Sequence, residues 1–89
     1  MLFRSITLHG QSAAMMAEFE DAVSRIPQVL ACFLIAGSND YILRVAARDV
    51  NDFGRIHSTN LSALPHVMQM ESNFVLREVI NRGMPADEI

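Results

Sequence analysis

Val29-Leu30-Ala31-Cys32-Phe33-Leu34-Ile35-Ala36, then Gly37-Ser38-Asn39-Asp40, then Tyr41-Ile42-Leu43-Arg44-Val45-Ala46-Ala47 is the stretch that decides the fold. The first run is almost wholly apolar, and its short length and its Val, Phe and Ile content favour a strand over a buried helix. The break that follows is made of turn formers: Gly permits positive φ, and Asn and Asp satisfy the local backbone with their side chains. Tyr41 to Ala47 resumes as a strand, so the whole stretch reads as a β-hairpin.

Working outward, Leu2 to His9 mixes apolar and β-favouring residues and stops at Gly10, which predicts a first strand. Ser12 is positioned to cap a helix in which Met16, Phe19, Val23 and Ile26 share one face. Pro27, which has no amide hydrogen, cannot continue it. On the other side of the hairpin, Asp49 is an N-cap with Asp52 in capping-box position, and Phe53, Ile56, Asn60 or Leu61, and Leu64 keep the helical period up to Pro65. Gly54 lies inside this helix at a cost of about 1 kcal/mol relative to Ala. Val67 to Ile80 reads as the last strand, and from Asn81 the polar Gly83, Pro85, Asp87 and Glu88 mark a loose tail. The expected organisation is one domain over residues 1–80 and a tail over 81–89.

The order βαββαβ with right-handed crossovers predicts a ferredoxin-like α+β fold, a four-stranded antiparallel sheet with both helices on one face. The second face is then bare. Val29, Ala31, Phe33 and Ile35 against Leu30, Cys32 and Leu34, and Tyr41, Leu43 and Val45 against Ile42, are apolar on both sides, whereas a solvated face would alternate. A second copy of the same sheet is the economical cover, giving an association of the dimeric α+β barrel type.

Composition agrees. A chain of 89 residues with 51% hydrophobic content makes one core. At that size only roughly 60% of the unfolded surface is buried, so association would supply missing stability. Seven basic residues against ten acidic ones give a net charge of −3, with the arginines scattered singly, so no footprint for nucleic acid is visible. No stretch approaches the ~18 apolar residues of a membrane span, and the opening residues carry Arg4 and Ser5 where a signal peptide would be continuously apolar. Cys32 has no second cysteine to pair with and reads as a small core residue, compatible with a reducing cytoplasm.

The pieces, in order, resemble the ligand-sensing C-terminal domain of the Lrp/AsnC (feast/famine) transcription regulators. The resemblance runs through residues 16–23, Pro27-Gln28-Val29, Ala36 to Val45, Asp49 and Phe53, Leu61-Ser62-Ala63-Leu64-Pro65 and residues 72–79, with the Gly-x-x-Asp-Tyr hairpin as its most telling element. Two positions depart from it: Ser38 stands where an acidic residue usually follows the hairpin glycine, and His66 where a glycine usually follows Leu-Pro. The helix-turn-helix that precedes this domain in the family does not precede Leu2, so this stretch is not expected to read DNA itself. Met1 does not decide between a stand-alone sensor and a piece of a longer regulator.

The resemblance implies an amino acid or related metabolite bound between subunits near the hairpin turn and the start of the last strand. The matching positions are Gly37, Ser38, Asn39, Asp40 and Tyr41, with Ser72, Asn73 and Phe74. Asp40 could accept from an ammonium, while turn amides and the Ser72 hydroxyl could donate to a carboxylate. The alternative is that Gly37 to Asp40 only turns the chain and Tyr41 only packs. The resemblance also implies a homodimer and rings of four dimers, no cofactor, and action on transcription through assembly state.

Catalytic and metal chemistry find little support. His9, His57 and His66 show no i, i+4 spacing and no Cys or carboxylate joins them in a ligand pattern. Glu18, Glu20 and Asp21 read as a solvated acidic face, with a subunit contact as the alternative, and Met15, Met16, Met68 and Met70 as core or interface filler. A small cofactor-free enzyme of the dimeric α+β barrel class and a pure oligomerisation domain are the competing functions; fold alone does not separate them.

Overall fold

A computed structural model describes residues 2–36 and 40–82. The elements follow the order β1 (Leu2–Leu8), α1 (Ala13–Ser24), β2 (Val29–Leu34), β3 (Tyr41–Val45), α2 (Val50–Thr59), a 3₁₀ turn (Leu61–Ala63) and β4 (Val67–Phe74). The strands form one antiparallel sheet in the order β2-β3-β1-β4, which is the ferredoxin-like arrangement. Ile35 N–H to the Asp40 carbonyl, at 2.8 Å, closes the β2–β3 hairpin.

Both helix starts carry the caps their sequences call for. The Ser12 hydroxyl accepts from the Met15 amide at 3.1 Å and the Asp49 carboxylate from the Asp52 amide at 2.8 Å. The return bond of the second cap is displaced by one residue: Asp52 accepts from the amide of Arg48, at 3.0 Å, instead of that of Asp49. α2 stops at Thr59, earlier than the periodicity predicts, and the remaining turn to Leu64 tightens into 3₁₀ geometry.

Strand alternation sorts the sheet into two faces. Leu2, Arg4, Ile6 and Leu8 of β1 and Tyr41, Leu43 and Val45 of β3 point under the helices, where Phe19 and Val23 of α1 and Ile56 and Leu61 of the α2 region complete the core. Register places Phe3, Ser5 and Thr7, Ile42 and Arg44, Ala31 and Phe33, and Gln69, Glu71 and Asn73 on the other face. That face is therefore only partly apolar, a correction to the sequence reading: β2 and β3 supply Phe33 and Ile42, but β1 and β4 bring mostly polar side chains. β2 is also an edge strand, so its apolar run is exposed at Leu30, Phe33 and Leu34, and Cys32 lies at the surface instead of in the core.

A second correction concerns β4, which ends at Phe74 and not at Ile80. The cause is β1. Phe74 pairs with Leu2, the first residue of β1, and among the described residues no strand continues alongside the chain beyond it. Leu76, Val79 and Ile80 consequently stand exposed.

His66 has φ of 63°, the left-handed region that favours glycine. The chain reverses here into β4: the His66 carbonyl accepts from the His9 amide at 2.8 Å, and its ring Nε2 lies 3.1 Å from Glu18. This is the position where a glycine was expected from the resemblance.

Candidate functional site

The residues singled out by the resemblance fall into separate places. Gly37, Ser38 and Asn39 lie outside the described residues. Asp40 precedes β3 on the face away from the helices, where it accepts from the Thr7 hydroxyl at 2.8 Å. Tyr41 points the opposite way and is buried, its ring 4.7 Å from that of Phe19 and its hydroxyl donating to Glu20 of α1. Burial first, and then the bond to Glu20, push the phenol well above its ordinary range, so it stays a neutral donor.

Ser72, Asn73 and Phe74 are the last three residues of β4, at the far end of the sheet from the hairpin. Tyr41 stands opposite Ile6, which stands opposite Met70; Ser72 is two residues further along, opposite Arg4. At strand spacings of about 4.8 Å and a rise of about 3.3 Å per residue, Tyr41 and Ser72 are separated by roughly 12 Å between backbones. Ser72 and Phe74 share the helix side of the sheet, and Asn73 the other. A single α-amino acid, whose two charges sit on one carbon, cannot touch Asp40 and Ser72 of the same chain.

Three residues that the sequence reading placed outside the candidate site take part in these surroundings. Glu20 holds Tyr41, Thr7 holds Asp40, and Arg4 lies beside Ser72. Glu20, Val23, Ser24, Cys32, Leu34 and Tyr41 line a cleft of about 420 Å³ between α1 and edge strand β2. Partial burial against α1, and to a lesser degree the Glu20 charge, push the Cys32 thiol up.

Among the described residues no group of three or more His, Cys, Asp or Glu side chains is arranged to hold a metal ion, and no helix is long and apolar enough to cross a membrane. The histidines are dispersed: His9 is exposed at the end of β1, His57 lies on α2 and His66 precedes β4.

Comparison with known proteins agrees with this architecture. The model of the Lrp/AsnC ligand binding domain matches residues 1–85. An HTH-type transcriptional regulator of Sinorhizobium fredii is 40% identical over 76 residues, covering 85% of this chain and 60% of that protein. The Bkd operon transcriptional regulator of Pseudomonas aeruginosa is 33% identical over 84 residues, covering 94% and 55%. In three dimensions, a transcriptional regulator from Neisseria meningitidis, solved as a complex with L-Met, superposes with a TM-score of 0.79 at 26% identity, covering 97% of this chain and 56% of that one. The chain thus spans little more than half the length of each of these three relatives. These relatives are regulators and not enzymes, and the chain belongs to the Lrp/AsnC ligand-binding domain family.

Proposed function

We propose that this domain senses an amino acid or a related small metabolite at junctions between its own copies and acts on transcription through its state of assembly. The observation that carries the reading is the split of the candidate site. Asp40 at one end of the sheet and Ser72 to Phe74 at the other cannot meet in one chain, so a ligand that uses both draws them from two. The L-Met complex of the Neisseria regulator supports an amino acid as the class of effector.

The surface supports self-association. Phe33, Leu34 and Leu30 on the edge strand, Phe3 on the open face, and Leu76, Val79 and Ile80 after β4 leave large apolar side chains in water, a surface that copies of the chain can bury against each other. A homodimer is the basic unit of this reading, and a ring of four dimers its extension. Residues 1–80 form the working domain and 81–89 a tail, the setting is the cytoplasm, and DNA is read by another part of the regulator or by a partner.

Subunit complementation tests the reading. Asp40→Asn and Ser72→Ala variants should each lose the saturable rise in melting temperature that an effector amino acid gives the unaltered protein. Mixed after joint refolding, they should regain part of it, because some junctions then pair an intact Asp40 with an intact Ser72. Two variants that lose the response and regain none on mixing would place both residues in one chain's site and contradict the shared junction.

A further inference from the structure

Arg44 stands in β3 on the face away from the helices, opposite Phe3 of β1. Its Nε is buried and meets no hydrogen-bond acceptor among the described residues. A buried donor left in that condition is costly, so an acceptor is to be expected from outside the single chain. A cavity of about 450 Å³ opens over Arg44, lined also by Phe3, Val75, Arg77, Glu78 and Asn81. Arg77 and Glu78 bring one charge of each sign to it, so the charge of Arg44 is left over. The arginines that do form ion pairs among the described residues, Arg25, Arg48 and Arg55, each have an aspartate three or four residues away.

The same face carries two further carboxylates. Asp40 is engaged by the Thr7 hydroxyl at 2.8 Å. Glu71 is exposed in β4, opposite Ser5 of β1. Because β1 lies between β3 and β4, Arg44 and Glu71 are two strand spacings and two residues of register apart, roughly 12 Å between backbones. No ion pair joins them among the described residues. The face thus presents a cation on one side of Phe3 and an anion on the other. A two-fold axis running along β1 between two such faces lays β3 of one copy over β4 of the other, so that each Arg44 faces the Glu71 of the opposite copy. The offset is two residues, about 7 Å along the strands, and the faces of packed sheets lie about 10 Å apart, a gap that an extended arginine and glutamate span together.

We infer that Arg44 and Glu71 are a reciprocal recognition pair, by which the open face of the sheet selects a second copy of this chain: the Arg44 of each copy receives the Glu71 of the other. The inference rests on the homodimer of the reading above and goes beyond it, because it names the residues that choose the partner. Phe3 and Phe33 offer contact area on this face, but apolar contact accepts any sheet of similar shape. Opposite charges at two fixed positions favour one register and one partner, and a like charge at either position rejects the wrong one. A guanidinium closed in between the faces also gains a strong, charge-assisted acceptor for the Nε that has none in the single chain.

The test is sedimentation equilibrium of the whole chain over a range of concentrations, with circular dichroism on the same samples. It is run on the unaltered protein, on Arg44→Glu, on Glu71→Arg, on the double variant, and on an equal mixture of the two single variants. Each single reversal should weaken self-association by about 100-fold or more, since like charges then meet twice in every dimer. The double variant restores opposite charges within a homodimer, and the mixture restores them between unlike copies. Both should therefore return to within about 10-fold of the unaltered affinity. Glu78→Gln should leave association unchanged; a loss as large as that of Arg44→Glu would give Arg44 to Glu78 and overturn the pair. Single reversals that leave the dimer intact, or that dissociate it without recovery in the mixture, would overturn the inference and leave the homodimer standing. Single variants that fail to fold alone and stay unfolded when mixed would overturn it too. An unaltered chain that is monomeric at every concentration would overturn the homodimer reading itself, and this inference with it.

Discussion

The half of the core under α1 and the half under α2 treat their buried polar groups in opposite ways. Under α1, Tyr41 is buried against Phe19 and its hydroxyl meets Glu20, a carboxylate that keeps its own access to water. Under α2, the Nε of buried Arg4 meets only the Met70 sulfur, and the buried Nδ1 of the half-buried His57 has no partner. A domain of 89 residues has little stability to give away, so a satisfied hydroxyl in one half beside an unsatisfied imidazole nitrogen in the other makes the α1 half the tighter one.

The largest effect expected from attacking this contrast comes from Phe19→Ala. It removes a fully buried ring and the wall that fixes Tyr41, and should cost about 3 to 5 kcal/mol in urea unfolding. A loss below ~1 kcal/mol would mean that the α1 half is not the tighter one. Tyr41→Phe is the finer probe of the same region: it leaves the volume and removes only the bond to Glu20, for an expected loss of about 1 kcal/mol. Because the abandoned Glu20 is already hydrated, the loss should stay near that value, and a much larger one would show that Glu20 is less exposed in the assembled protein.

At the seam between the halves, His66→Gly should stabilise by about 1 kcal/mol. Relief of a left-handed φ is worth about 1 to 2 kcal/mol, and the surrendered contact with Glu18 is a partly exposed one worth less. A destabilised glycine variant would show that the ring contact matters more than the backbone. The smallest effect concerns the start of α2. The Arg48 amide and side chain, with Arg55, hold the Asp52 carboxyl down from 3.8 to about 2. Its folded form thus gives up the proton more readily than its unfolded form, and its contribution is present above pH ~4 and is lost as pH falls toward 2. Asp52→Asn should flatten this part of the acid unfolding profile without moving it near neutrality; an unchanged acid limb would remove Asp52 from the account.

The element order was legible because each element carries its own punctuation: Ser12 and Asp49 at the caps, Pro27 and Pro65 as stops, and a turn before Tyr41. The end of β4 was not. Whether Val75 to Ile80 is a strand depends on whether a partner strand continues alongside, and β1 begins at Leu2. The exposure of Cys32 was hidden for the same kind of reason, since strand order, and with it the edge position of β2, is a property of the closed sheet.

Of the candidate site, the hairpin residues could be named from sequence, while the opposite orientations of Asp40 and Tyr41 follow from alternation alone. Arg4 was passed over as one of several scattered arginines. A signal was nevertheless present: in Leu2-Phe3-Arg4-Ser5-Ile6-Thr7-Leu8 the even positions are the inward ones, and Arg4 is the charged residue among them. Glu20 gave no such signal, because nothing in the sequence brings α1 over Tyr41.

The most direct test of the central claim is light scattering behind size exclusion, with and without each amino acid, joined to thermal shift on the same samples. The account predicts a dimer or larger species whose mass or melting temperature responds saturably to at least one amino acid. A monomer indifferent to all of them would contradict it.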